Sequence, residues 1–348
     1  MKIVAVRTYP LRNPGTGAGS GCWVELETDR GLMGIGIGSQ IVGEKALYIA
    51  EDLLIGEDPR AVTAHWQRMC QQISDKGQHE RHWHALAMLD MALWDLKAKN
   101  NHEPLWKTLG GARPRAFACA SLKGLESGDD ELRDWFAAMA GTYGFRAGNL
   151  PVGLGREADL KRLQFMRDAL AQNTLVPNLL ISMDGSRTLE QAILQTRELE
   201  QKFDLAAIKV PLSAWGTDGL RQLSETIFAA VCASDLQASA EGLFTGLDHC
   251  GIDILTINTA CSGITGALQV ADAAYGFELP VILAASPGNF AAHLAAVLPT
   301  IMFLEVESAG SRDSPVTSDV RVEDGWVVAG DEPGHGIAIA AGAMEQCQ

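Results

Sequence analysis

Two hydrophobic periods divide the chain. Over its first forty residues apolar and polar positions alternate in short runs, Lys2–Leu11, Cys22–Thr28 and Leu32–Gly38, with Asp29-Arg30-Gly31 as the turn between the last two. A period of two bounded by turn residues predicts a small antiparallel sheet. Helical spacing then takes over. In Ala85–Lys99 the residues Leu86, Leu89, Leu93 and Leu96 share one stripe, Asp95 and Lys99 stand four apart on another face, and Gly110-Gly111 follow as stop signals. Residues 1–112 therefore read as an α+β domain.

From residue 117 short apolar runs alternate with amphipathic stretches. Candidate strands are Phe117–Leu122, Gly148–Val152, Leu179–Ser182, Leu205–Val210, Ala230–Ser234, Ile252–Asn258, Leu279–Leu283 and Ile301–Val306. Their spacing of roughly 25 to 30 residues suits β-crossover-β units. Helix signals lie between them, such as Thr188 followed three residues later by Gln191, a capping-box pattern ahead of Ile193, Leu194 and Leu199. Eight such steps favour a closed α/β barrel, although six or seven strands of an open doubly wound sheet would give a similar pattern. In a barrel the chemistry belongs at the C-terminal strand ends. That address holds Asn149, Pro151, Ser182, Asp184, Lys209, Asp235, Asn258, Ala284 to Ser286 and Glu305.

Composition narrows the class. The 348 residues carry 28 Lys plus Arg against 43 Asp plus Glu, a formal charge of -15, with 47% hydrophobic and 20% charged positions. These are ordinary values for a globular protein long enough for two domains. With no basic run, neither nucleic acid nor an anionic membrane surface is an expected partner. The start carries no charged-then-apolar leader, and no uncharged apolar stretch reaches the ~18 residues of a spanning helix. Seven scattered cysteines (22, 70, 119, 232, 250, 261 and 347) without a Cys-x-x-Cys fit reduced thiols. A cytoplasmic location is the expectation.

Particular residues then carry a family resemblance. The run Ala85-Leu86-Ala87-Met88-Leu89-Asp90-Met91-Ala92-Leu93-Trp94-Asp95-Leu96-Lys97-Ala98-Lys99, followed by Pro104-Leu105-Trp106-Lys107-Thr108-Leu109-Gly110-Gly111, closely resembles the enolase superfamily in its mandelate racemase and muconate lactonizing group. Thr28 to Gly34, Gly263-Ile264-Thr265 and Asp331-Glu332-Pro333-Gly334-His335-Gly336 extend the likeness along essentially the whole chain. The resemblance implies an N-terminal α+β capping domain (1–112), a modified (β/α)7β TIM-type barrel (113–308) and a C-terminal segment (309–348) packing back on the cap. It also implies Mg²⁺ on three carboxylates at the ends of barrel strands three to five, and a Lys or His base that takes the proton α to a substrate carboxylate. Family members assemble as dimers or octamers, so a homo-oligomer is implied as well.

The sequence departs from that pattern at nearly every reacting position. The second-strand Lys-x-Lys base motif falls on Asn149-Leu150-Pro151, which cannot take a proton from carbon. The metal carboxylates fall on Ser182, Lys209 and Asp235, with Asp184 two residues past Ser182 as a possible relocated ligand. The His of the family's His-Asp dyad meets Ala284-Ala285, and its Asp aligns near Asn258. Glu305 still matches an acid that hydrogen-bonds substrate in some members. Three carboxylates plus Mg²⁺ sum to -1, whereas Ser182, Lys209 and Asp235 sum to 0 without metal, so the Lys209 ammonium is expected to replace the ion and pair with Asp235 and Asp184. No metal or other cofactor is then expected; Mg²⁺ belongs to the alternative with relocated ligands. The expectation is a diverged member with a small carboxylate or sugar-acid ligand; the alternatives are a racemase, cycloisomerase or dehydratase with relocated ligands, or a metal-independent lyase.

Other signals have plainer readings beside the sharp ones. Lys209 as a Schiff-base nucleophile needs a depressed pKa, which a neighbouring carboxylate opposes. Gly15 to Gly21 is a flexible connector or a retained lid, and Gly153-Leu154-Gly155-Arg156 makes a turn or receives an anion. His79, His82 and His84 diverge on a helix, Trp83 and Trp94 suit a core, and Cys261, Ser262 and Ser286 have no histidine to pair with by sequence position.

Overall fold

The computed structural model describes residues 1–12, 19–39, 42–75, 80–122, 125, 127–234, 251–307 and 314–340, with side chains at all of these except 12, 19, 20 and 80. Strands β1 (Ile3–Arg12), β2 (Gly19–Thr28) and β3 (Met33–Gly38) form the antiparallel sheet of the cap in that order. The turn falls at residues 29–31, where Gly31 has φ of 75° and donates its N–H to the Thr28 carbonyl at 2.9 Å. Helices α1 (Gly43–Leu53), α2 (Val62–Asp75), α3 (Glu80–Asn100) and the short α4 (Leu105–Thr108) follow.

Helix α3 is the spine of the cap. Its stripe of Leu86, Leu89, Leu93 and Leu96 is wholly buried. Strand β3 lets it approach through alternate glycines: a Cβ at Gly36 would collide with the Met88 carbonyl, and one at Gly34 with that of Ala92. Two residues per strand period put both glycines on the same face. Asp95, fully buried, gathers the Ile35 N–H at 2.9 Å, the Lys99 ammonium at 2.7 Å and the His335 N–H at 3.1 Å. A single carboxylate thus ties strand, helix and C-terminal segment together.

The barrel runs β4 (Arg115–Ser121), α5 (Asp129–Tyr143), β5 (Ala147–Pro151), α6 (Arg156–Leu170), β6 (Asn178–Ser182), α7 (Leu189–Glu200), β7 (Leu205–Pro211), α8 (Gly216–Ser224), β8 (Ala230–Ser234), β9 (Ile254–Ile257), α9 (Thr259–Gly276), β10 (Val281–Leu283), α10 (Ala291–Ala295) and β11 (Ile301–Val306). Each strand is parallel to the next and β11 pairs with β4, so the sheet closes and the open-sheet alternative falls away. Eight parallel strands with helices outside, under an α+β cap, make an enolase-like TIM-type fold. The capping box at α7 is present, with the Thr188 side chain and Gln191 exchanging bonds. Further strands are β12 (Val316–Ser318), β13 (Arg321–Glu323), β14 (Trp326–Val328) and β15 (Ile337–Ile339). The β13–β14 hairpin extends the barrel sheet antiparallel to β4, while His335 reaches the cap, donating Nε2–H to the Ile35 carbonyl at 2.7 Å.

Inside the barrel the two-residue period stacks side chains in layers from alternate strands. Ala147, Ala207, Ile254 and Phe303 form the lowest, and Cys119, Leu180, Cys232 and Ile282 the next, all in one buried cluster. Two residues further along, β5, β7, β9 and β11 present Asn149, Lys209, Thr256 and Glu305. Above them β4, β6, β8 and the end of β10 present Ser121, Ser182, Ser234 and Ala284 at the mouth.

Cap and barrel are joined by a second buried carboxylate. Helix α9 breaks at Gly263 (φ 66°), and its longer half starts afresh beneath α3. There the Thr265 N–H and hydroxyl donate to Asp90 at 2.7 and 2.6 Å, while Trp94 Nε1 donates to the same hydroxyl at 2.9 Å. Asp90 acts as an N-terminal cap supplied from another element. Gly263 is needed twice, for its left-handed φ and because a Cβ there would lie 2.6 Å from the Asp90 carboxylate. Complete burial raises the Asp90 carboxyl to about 7 against the lowering effect of the Thr265 bonds.

An acid whose folded pKa lies above its unfolded value of about 3.9 contributes stability that is full below that value and lost as pH rises through the folded pKa. The contribution of Asp90 should therefore fall between about pH 4 and 7 by roughly 4 kcal/mol. Urea unfolding of the wild type and Asp90→Asn across this range should show their difference shrinking as pH rises. A difference independent of pH would rule the coupling out.

Candidate functional site

A cavity of about 920 Å³ opens between the cap and the C-terminal ends of the barrel strands. Its roof is apolar, with Leu11 and Ile37 from the cap sheet, Met91 from α3, and Ile264 and Phe290 from the barrel side. Its floor is polar. Asn149, Lys209, Thr256 and Glu305 lie at the bottom and the three mouth serines above them.

The floor is organised by one ion pair. The Lys209 ammonium donates to both oxygens of Glu305, at 2.9 and 2.8 Å, and the Glu305 side chain is only 4% exposed. Asn149 Nδ2 donates to Ser121 Oγ at 3.2 Å and more weakly to Glu305 Oε1 at 3.4 Å. These contacts fix the amide orientation and leave Asn149 Oδ1 buried with no donor among the described residues. Burial alone would pull the Lys209 pKa down, but the charge and hydrogen bonds of Glu305 outweigh it and hold the ammonium above its ordinary value. Beneath the pair sit Cys119 and Cys232, both raised by burial, Cys232 to about 11; its Sγ lies 3.1 Å from Thr256 Oγ1.

Among the described residues the partner of Lys209 is Glu305. Sequence alignment pointed to Asp235 and Asp184; Asp235 lies outside the described residues, and Asp184 is exposed and turned to its own loop. The Asp184 carboxylate accepts from the Ser186 N–H at 3.0 Å and hydroxyl at 2.7 Å, bonds that lower its pKa. Glu305 reaches Lys209 because barrel strands four apart face each other across the interior, and β7 and β11 contribute to the same layer. Asn149 and Glu305, singled out separately from the sequence, are brought together with Lys209. Ser182 lines the mouth rather than the pair.

Magnesium is tested against these residues directly. Mg²⁺ needs oxygen donors, mostly anionic, in near-octahedral array. Here a neutral hydroxyl stands at one family ligand position and an ammonium, already engaged, at the next; the third lies outside the described residues. An ammonium in the ligand set repels a divalent ion, so the described residues do not fit the metal.

Other sequence signals resolve locally. The Gly153 and Leu154 N–H groups both point at Asp159 of α6, at 3.1 to 3.2 Å, so the chain itself supplies the anion. His79 and Gly15 to Ala18 lie outside the described residues. Cys261 does meet a histidine, with Sγ 4.0 Å from His84 Nε2, while His84 Nδ1 donates to the Ala260 carbonyl at 2.8 Å. Folding pairs them across 177 residues. Ser286 Oγ accepts from the Ala291 N–H, and Trp94 bonds across to Thr265. The five cysteines among the described residues are free thiols, and no helix there is long and apolar enough to cross a membrane. Ser121, Ser234 and Thr256 line the cavity without having been singled out from the sequence. They lie two positions along their strands from Cys119, Cys232 and Ile254, so the strand period points to them.

A capped eight-stranded barrel with a polar cavity at its strand ends is the enolase-like class of protein. Residues 131–343 match the family model described as Enolase C-terminal domain-like, and residues 16–110 that of the Mandelate racemase / muconate lactonizing enzyme, N-terminal domain. The chain belongs to the mandelate racemase/muconate lactonizing group of the enolase superfamily. Similar proteins include D-galactarolactone cycloisomerase of Agrobacterium fabrum, 25% identical over 99% of this chain and 98% of that protein. Arabinonate dehydratase of Saccharolobus solfataricus is 23% identical over 92% and 89%. Among solved structures, a racemase from Streptomyces coelicolor A3(2) with bound magnesium shares the fold with TM-score 0.83 and 22% identity, covering 99% of this chain and 98% of its own.

Removing one partner of a buried ion pair strands the other. Lys209→Met should cost about 3 to 5 kcal/mol by urea unfolding, and the double variant Lys209→Met, Glu305→Leu should recover most of it. Equal losses in single and double variants would show the pair to be uncoupled.

Proposed function

We propose that this chain is a diverged member of its family that does not carry out Mg²⁺-dependent α-proton abstraction and keeps its cavity as a metal-independent binding site for a small polar molecule. The observation that carries this reading is the Lys209–Glu305 pair. The cation at the fourth strand end is supplied by the chain, and both oxygens of the acid opposite are occupied by it.

The same geometry argues against the two chemistries open to a lysine. A base or Schiff-base nucleophile must present a neutral amine, and Glu305 favours the charged form. Asn149 and Pro151, where the family's lysine base motif falls, offer no replacement proton acceptor for a carbon acid. Residues on the floor can hold and orient a ligand; none of those described is poised to take its proton.

The competing reading is a dehydratase, cycloisomerase or racemase whose Mg²⁺ is held by Asp184 and Asp235. It draws on the activities of the relatives and on magnesium in solved neighbours, among them L-talarate dehydratase from Polaromonas sp. JS666 complexed with Mg and L-glucarate. Calorimetric titration of Mg²⁺ and Mn²⁺ into chelator-stripped protein separates the two. Wild type should show no one-site binding, whereas the Lys209→Glu, Ser182→Asp variant, with a carboxylate restored at each position, should bind. One-site binding by the wild type would establish the competing reading instead.

A further inference from the structure

The charge inventory of the cavity says which molecules it suits. Lys209 is the one basic side chain among the described residues that line it, and its charge is already matched by Glu305. Asp184 and Glu307 also line it, so no described residue offers an uncompensated positive charge to a carboxylate ligand. An incoming carboxylate could reach only the third Lys209 N–H, beside the Glu305 carboxylate, where like-charge repulsion opposes it and displacing Glu305 would strand a buried charge.

Beyond the contacts within the ion pair, the hydrogen-bonding groups of the lining mix donors and acceptors. At the mouth the Ser121 hydroxyl accepts from Asn149 and keeps its own O–H, Ser182 adds a hydroxyl that can donate and accept, and the Ser234 hydroxyl donates to the Val210 carbonyl. Lys209 has a third N–H beyond the two given to Glu305. Asn149 Oδ1 is a buried acceptor in the cavity floor without a donor among the described residues. An acceptor is completed by a group that carries a proton, which a hydroxyl of a polyol or of a sugar acid supplies, so the charge inventory is what separates the two. The apolar roof suits the C–H faces of a carbon chain or ring.

We infer that the cavity selects an uncharged polyhydroxylated molecule, a polyol or neutral sugar, in place of the sugar acid expected from the family resemblance. The inference rests on the metal-independent reading above and names its ligand class. Asn149 Oδ1 accepts a hydrogen bond from a ligand hydroxyl, the third Lys209 N–H, which has no acceptor among the described residues, donates to a ligand oxygen, and Ser121 and Ser182 exchange bonds with the rest.

Galactitol, D-galactonate and galactarate share a six-carbon hydroxylated chain and differ in charge, so calorimetry with these three probes reads the preference. In chelator-treated wild type at neutral pH, galactitol should bind at least about tenfold more tightly than D-galactonate, a difference of about 1.4 kcal/mol, and galactarate most weakly. Glu305→Gln, which leaves Lys209 uncompensated, should reverse the order toward D-galactonate. Ser182→Lys, a cation added at the mouth away from the buried pair, should shift it the same way if the first variant does not fold. Acids binding as tightly as galactitol without metal would overturn the ligand class and leave the metal-independent reading standing. Acids binding only with added Mg²⁺ would overturn that reading itself. Binding of none of the three probes in either condition would also overturn the ligand class.

Discussion

An ammonium on the floor of a closed barrel, only 15% exposed, needs its counter-charge within reach of its own layer, because the low-dielectric walls around it leave the charge poorly solvated. Lys209 and Glu305 meet that constraint, and much of the site follows from their pairing. Both oxygens of Glu305 face the lysine, so Asn149 is left to bridge Glu305 and Ser121. The pair sits directly over two buried thiols that stay neutral. Salt bridges of this kind rarely add much net stability over an apolar pair, but their geometry is demanding and removal of either member is costly. That combination makes the pair a determinant of what the cavity can hold more than of whether the barrel folds.

The roof depends on buried carboxylates too. Asp95 holds α3 to β3 and to the C-terminal segment, and Asp90 holds it to the broken helix α9. Both accept backbone N–H groups, which position a partner element with little side-chain freedom left over. A cavity between two structural units keeps its shape only if the units are held in register. Here the anchors lie on one helix five residues apart, so roof and floor are referred to the same rigid element.

Much of this was legible along the chain. The eight apolar runs lie within a few residues of the eight barrel strands, because a parallel strand buried on both faces is continuously apolar and bounded by turns. The four leucines of α3 mark its buried stripe for the same kind of reason. Asn149, Lys209 and Glu305 were each visible as strand-end residues. Their meeting was not, since 96 residues separate the lysine from its acid and alignment favoured nearer candidates. Cys261 and His84, 177 residues apart, show the same limit.

The sequence by itself determined the periods: alternation for the cap sheet, the helical stripe of α3, the repeated strand-helix rhythm and the residue types at the strand ends. Those are local properties, set by backbone geometry and by which side chains avoid water. Closure of the sheet into a barrel, and with it the partner of Lys209, was decided only in three dimensions. Joining β11 to β4 brings strands four apart face to face, and electrostatics in a low-dielectric interior then chooses among whatever charges that closure places within about 3 Å.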